Sequence, residues 1–272
     1  MQTIDILPRD LTITLLGNEL LHRPNGRAWS GGLVSLLGRF DVSPEAARSV
    51  LTRMAAQGLL DRHRVGREVH YGLTERARQL LCEGEERILA FPEYADDPTL
   101  WTWCTYALPA GQRVERDRLR RQLSFLGFGT VRNGTWITPG DRSGELGRVL
   151  TDLDLVGPVT VFVGTPAAGT DPHDLIERAW DLDGVAAGYR SFVDHYSSQS
   201  PRDDFEALDL RTKLMHEYRS FPTIDPGLPT DLLGWAPTRQ AAVELFHEIW
   251  HQLAPAAQRG FEHLCVPAKE AA

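Results

Sequence analysis

His247, Glu248 and His251 stand in the sequence His-Glu-Ile-Trp-His, the H-E-x-x-H spacing of zinc proteases. On a helix the two histidines lie one turn apart on one side, where both could ligate a metal, and the glutamate between them could activate a water. That chemistry needs a third ligand. In the extended form H-E-x-x-H-x-x-G-x-x-H, the glycine and third-histidine places are held by Ala254 and Ala257. A glutamate from a later helix could serve instead, but the 21 residues after His251 contain only Glu262 and Glu270 as acids. Pro255 is expected to interrupt the helix just past the motif. On a helical wheel Phe246, Ile249, Trp250 and Leu253 form the apolar stripe, with His247 and His251 on its polar flank and Glu248 opposite. The motif reads as a solvated helix edge, and no catalytic residue or metal ligand is assigned.

Other chemistries find even less. Cys82, Cys104 and Cys265 are far apart and odd in number, which suits a reducing compartment and small buried apolar residues, with neither a disulfide framework nor a zinc cluster. No Ser-His-Asp order or phosphate-binding glycine loop occurs; the glycines of Gly127-Phe128-Gly129 fall between a helix and a strand, where a turn accounts for them. No apolar run approaches the ~20 residues that span a bilayer, and the first residues lack a basic start and a small-residue cleavage site. A cytoplasmic protein is expected, without a cofactor.

Charge is more informative. The 272 residues carry a net charge of −8, which excludes a protein coated in nucleic acid along its length. Residues 1–90, however, hold 12 Arg against 11 acids, and residues 39–78 hold 8 Arg against 5, a local excess of three. An acidic chain with one basic segment can still bind DNA through it.

Elements that could present that charge follow from periodicity. Residues 11–22 read as a helix, and Leu33, Leu36, Leu37 and Phe40 mark one face of a second. Ser43 is a good N-cap and Pro44 a good first residue for a third helix. Its Ala46, Ala47, Val50, Leu51 and Met54 make one side, and Glu45, Arg48, Ser49, Thr52 and Arg53 the other. Residues 59–64 and 68–73 form two strands joined at Val65-Gly66-Arg67, and Thr74 caps a helix to about Ile88. Three helices, a β-ribbon and a further helix predict a winged helix-turn-helix over residues 1–90, whose second helix of the pair enters the major groove. Candidate DNA-binding residues are Arg39, Ser43, Arg48, Ser49, Thr52 and Arg53, joined from the ribbon by Arg64, Arg67 and Tyr71.

Beyond a polar linker at residues 91–98, the order strand, helix, two strands, helix, strand predicts a ferredoxin-like βαββαβ domain over residues 98–166. Residues 171–266 read as a helical domain, broken by a Pro-rich connection around residues 222–237. The fold class is α+β.

Four phrases, "SVLTRMAAQGLLDRHRVGREVHYGLTERAR", "DRLRRQLSFLGFGTVRNGTWITP", "AWDLDGVAAGYRSFVDHY" and "RTKLMHEYRSFPTIDPGLPTDLLGW", occur in this order. With this layout the chain resembles the PaaX family of repressors of phenylacetic acid degradation, over about residues 10–264. The resemblance implies an N-terminal winged helix on double-stranded operator DNA, a middle domain similar to small nucleases of CRISPR adaptation, and an aryl-coenzyme A effector that releases the DNA. A homodimer on a pseudo-palindrome is expected. The nuclease-like acid near the end of the first strand is missing, since Tyr106 to Gln112 contain no Asp or Glu, so that domain is expected to act as a scaffold. A coenzyme A thioester needs Arg or Lys donors beside an apolar pocket. Trp180, Tyr189, Arg190, Arg211, His216, Arg219 and Trp235 are the candidates for that effector site. The rival reading, from another class, is a metal-dependent hydrolase or nuclease built on the His-Glu-Ile-Trp-His motif or the ferredoxin-like domain.

Overall fold

In the computed structural model, the residues described are 7–23, 26–91, 99–228, 230 and 233–266. Pro24 and Asn25 of the expected first loop, residues 92–98 of the expected linker, parts of the Pro-rich connection, Glu270 and both termini lie outside them. The fold is mixed α and β with two antiparallel sheets. The chain gathers into two compact units, one of residues 1–89, 196–218 and 244–272, the other of residues 90–195 and 219–243.

In the first unit α1 (Pro8–Leu20), α2 (Ser30–Gly38) and α3 (Pro44–Ala56) pack with a sheet of β1 (Arg27–Trp29), β2 (Leu60–Val65) and β3 (Glu68–Leu73). α4 (Glu75–Ala90) follows, with the Thr74 hydroxyl accepting from the Ala77 amide at its start. The strand order is β1-β3-β2, all antiparallel. β1 is not expected from the sequence; three residues are too few to show an alternation. Its presence makes β3 the central strand, flanked on both sides, and its last four residues are all buried. Tyr71 is therefore a core residue at 6% exposure and does not offer its ring to DNA, a correction to the sequence reading.

The core of this unit is continuous with the C-terminal part of the chain. Leu11, Leu15, Leu33, Leu36, Val50 and Leu51 share one buried cluster with Leu208 of α9 (Asp204–Tyr218) and with Ala257, Phe261 and Cys265 of α11 (Ala236–Cys265). Packing is close enough to require glycine at one point: a Cβ on Gly32 would lie 2.0 Å from the Leu264 carbonyl oxygen. α11 also passes through Pro255 without stopping, against expectation. Pro255 is exposed, so the His251 carbonyl that loses its amide partner can be hydrated, and Leu253, Ala257 and Phe261 hold the helix down on either side.

The second unit has the order β4 (Trp101–Tyr106), α5 (Arg113–Phe125), β5 (Gly129–Arg132), β6 (Thr135–Pro139), α6 (Ser143–Asp152), β7 (Val159–Gly164). Its strands lie in the order β5-β6-β4-β7, all antiparallel. Leu119 and Leu123 of α5 and Leu146 and Leu150 of α6 form one core cluster with Cys104 of β4 and Trp136 of β6. A second cluster joins Trp101 and Ile137 to Leu175 and Ile176 of α7 (Pro172–Ala179) and to Leu228 and Leu233. α8 (Leu182–Tyr196) and the short α10 (Phe221–Ile224) complete the elements.

Candidate nucleic-acid interface and effector cleft

α3 starts as its sequence dictates. The Ser43 hydroxyl accepts from the Ala46 amide at 3.2 Å, Pro44 occupies the first turn, and Ala47, Val50, Leu51 and Met54 are buried. Arg48, Ser49, Thr52 and Arg53 are exposed along the other side. No described residue pairs with the guanidinium of Arg48 or Arg53. The β2–β3 ribbon turns at Gly66, whose φ of 60° is open to glycine at no cost, with Arg64 and Arg67 exposed at the tip. Arg64 Nε donates to the Gly66 carbonyl at 3.3 Å, which steadies the tip.

Arg39, at the corner between α2 and α3, is placed differently. It forks onto Asp209 of α9, with Nε 2.8 Å from Oδ1 and Nη2 2.6 Å from Oδ2, and its guanidinium lies 5.4 Å from the Phe205 ring centre. The hydrogen bonds to Asp209 push the Arg39 pKa up. Arg39 thus fastens the helix-pair corner to α9, and its fork is already engaged.

The effector candidates do not form one constellation. Arg211 and His216 belong to the first unit, whereas Trp180, Tyr189, Arg190, Arg219 and Trp235 belong to the second. Arg211 is a buried partner of Glu19 at 3.2 Å; it donates to the Trp250 carbonyl and lies 3.4 Å from that indole's centre. Burial raises the Glu19 pKa and lowers that of Arg211, each opposed by the partner's charge. His216 Nδ1 lies 3.2 Å from the Thr14 hydroxyl of α1. Both residues thus tie α9 to α1, a role the sequence could not show because Glu19 and Thr14 lie some 200 positions away.

Tyr189 is fully buried, and its hydroxyl donates to Asp225 Oδ2 at 2.8 Å. The Gly227 amide also donates to Asp225, and Arg239 approaches it to 3.5 Å while donating to the Leu228 carbonyl. Burial above all raises the Asp225 pKa, against the pull of Arg239. This network ties residues 225–228 to α8 and α11 and engages the Tyr189 hydroxyl as a donor.

Trp180 and Trp235, by contrast, both line a cleft of about 780 Å³, together with Ile176 and Leu182. Trp180 is seated by Gly129, where a Cβ would come 2.5 Å from its ring. Glu177, Arg178, Asp181 and Asp183 line the same cleft, so its rim is more acidic than the sequence reading expected. Arg190 is exposed on α8 and is not among the lining residues.

The His-Glu-Ile-Trp-His motif lies on α11 as its wheel predicts: Phe246, Ile249, Trp250 and Leu253 are buried, Glu248 and His251 exposed, and His247 half-buried. The two imidazoles sit 6.2 Å apart, and among the described residues no group of three His, Cys, Asp or Glu is placed to hold a metal. No described helix is long and apolar enough to cross a membrane.

Comparison with known proteins fits this arrangement of elements. Three family profiles match in succession: PaaX-like protein at residues 8–77, the PaaX protein central Cas2-like domain at 97–176, and the PaaX-like protein C-terminal domain at 180–263. The chain belongs to the PaaX family. A curated relative, transcriptional repressor PaaX of Escherichia coli strain K12, is 24% identical over 270 residues, covering 94% of this chain and 84% of its own. Among solved structures, uncharacterized protein Rv0674 from Mycobacterium tuberculosis aligns with a TM-score of 0.58 at 19% identity, over 94% of this chain and 98% of that one, a likeness of fold. PaaX membership puts the chain among transcription regulators and not among enzymes.

Proposed function

We propose that this chain is a DNA-binding transcriptional repressor that reads operator DNA with α3 and the β2–β3 ribbon. The observation that carries the reading is the outward face of α3. In a chain of net charge −8, Arg48 and Arg53 stand exposed without acidic partners among the described residues, beside a ribbon tipped with Arg64 and Arg67. A winged helix-turn-helix accounts for residues 1–90, and the strand order β5-β6-β4-β7 with two helices on one face suits a ferredoxin-like central domain. The curated relative's name supports the repressor role. Two copies reading a pseudo-palindrome in the cytoplasm complete the proposal, since one winged helix spans only a short half-site.

The effector we infer is a small aromatic compound, an aryl-coenzyme A thioester by family resemblance, with its ring between Trp180 and Trp235. The cleft is large enough for such a ring and has indole walls, the features an aryl group uses. The acids lining the cleft favour a pose in which the phosphates lie in solvent outside its rim. The deciding experiment is operator binding at physiological salt. A clear preference for the chain's own promoter over random duplex is expected, and equal affinity for both overturns the reading.

A further inference from the structure

Residues 118–140 contain four arginines, Arg118, Arg120, Arg121 and Arg132, and no Asp, Glu, Lys or His, although the whole chain is acidic at net −8. Three of the four are on α5. Its Leu119 and Leu123 are fully buried, while Arg118, Arg120 and Arg121 are exposed, covering the half of the helix turned away from the core. Arg132 is exposed at the neighbouring β5–β6 turn.

What marks these residues is their density on one helix and its neighbouring turn, together with the absence of neutralising partners among the described residues. Several other arginines are committed: Arg39 to Asp209, Arg202 to Glu206, Arg259 to Asp204, Arg211 to Glu19 and Arg23 to Glu262. On α5 itself Arg113 pairs with Asp117 at 3.8 Å, and Arg116 donates to the Leu108 and Pro109 carbonyls. No described residue accepts a hydrogen bond from, or pairs with, the side chain of Arg118, Arg120, Arg121 or Arg132. They are in the same state as Arg48 and Arg53 on α3. α5 carries five arginines against two acids, Glu115 and Asp117, and the excess positive charge on its exposed face is relieved by a polyanion.

We propose that the α5 face is a second DNA-contacting surface, one that takes backbone phosphates. The inference rests on the repressor reading. Its chemistry is sequence-independent: the guanidiniums of Arg118, Arg120 and Arg121 neutralise phosphates and release counterions, and carry no base information. α5 has 13 residues, about 20 Å of helix, long enough to meet several phosphates of one duplex.

The test is the salt dependence of duplex binding by the full chain and by the triple variant Arg118→Gln, Arg120→Gln, Arg121→Gln. All three side chains are exposed, and an unchanged melting curve confirms the fold. Each phosphate neutralised contributes about 0.9 to the slope of log K against log salt, so the variant is expected to lose roughly two to three from that slope. Operator and random duplex should weaken by the same factor. An unchanged slope overturns the proposal, and would leave an acidic protein or an RNA as the partner of this face. Because the slope is also read on random duplex, missing operator preference in the wild-type chain sinks the repressor reading without deciding the α5 surface.

Discussion

Arg48 and Arg39 differ in what already holds them. Asp209 engages the Arg39 fork, so Arg39→Ala is expected to remove that partly exposed pair, about 1 kcal/mol or less of stability by chemical denaturation. Arg48 and Arg53 have no partner to lose among the described residues, so Arg48→Ala and Arg53→Ala should leave stability alone and act on DNA. Removing an arginine that grips guanine with both arms costs about 1–3 kcal/mol and relaxes one base pair, whereas removing one that holds a phosphate weakens all sequences alike. Titrating both variants on operators changed one base at a time separates the two outcomes, and unchanged affinity in both removes α3 from the interface. The histidine pair of α11 gives a pH effect of definite sign. Burial first, then the His251 charge, lowers the His247 pKa below its usual 6.5. The unfolded chain then binds the proton more readily, so a stabilisation complete above about pH 6.5 is lost as pH falls from there to the folded value. Stability measured at several acidic pH values should show that decline, and His247→Gln should flatten it.

At the scale of the element, legibility follows from how many residues express a period and how far away the partner is. α3 can be read to the residue because its 13 positions repeat a 3.6-residue pattern, with a cap and a first-turn proline marking its start. β3 cannot, because both of its faces are covered over its last four residues, which no alternation in its own sequence reveals. Tyr71 reads wrongly for that reason, and Arg211 for a related one, since Glu19 lies 192 positions off. Trp180 and Trp235 come together in the sequence only by composition; the acids that rim their cleft carry no signal until the fold brings them there. The close seating of α2 on α11 is equally invisible and gives an element-scale test. Gly32→Ala would drive a Cβ to 2.0 Å from the Leu264 carbonyl oxygen, and the backbone cannot yield as a side-chain end could. Overpacking of this kind costs about 1–3 kcal/mol, so the urea midpoint should drop while the far-ultraviolet spectrum of the folded state is kept. An unchanged midpoint would mean that α2 and α11 do not pack as closely as described.

For the whole molecule, the division of the chain decides how the effector can be located. Leu208, Ala257, Phe261 and Cys265 are buried in the same cluster as the helices of residues 8–56. Deleting residues 1–90 would strip that cover from α9 and α11, and the remaining chain is expected to expose apolar surface, bind a hydrophobic dye and self-associate. A failure of such a fragment to bind effector would then report damage to its fold and not the place of the pocket. The full chain avoids this difficulty. If a polyanionic thioester lies with its ring between Trp180 and Trp235, Glu177 on the cleft wall opposes its phosphates. Glu177→Arg reverses an exposed charge and should tighten the thioester in a manner that fades with added salt, while leaving the uncharged aryl amide unaffected. Reciprocity supplies the functional half of the same experiment. An effector that favours the non-binding state must itself bind more weakly once operator is present, typically by about 1–3 kcal/mol, whatever route joins the two sites. Calorimetry of the full chain, free and saturated with operator, measures that difference directly. Equal effector affinity in the two titrations would show that the ligand does not govern DNA binding, even if it fills the cleft.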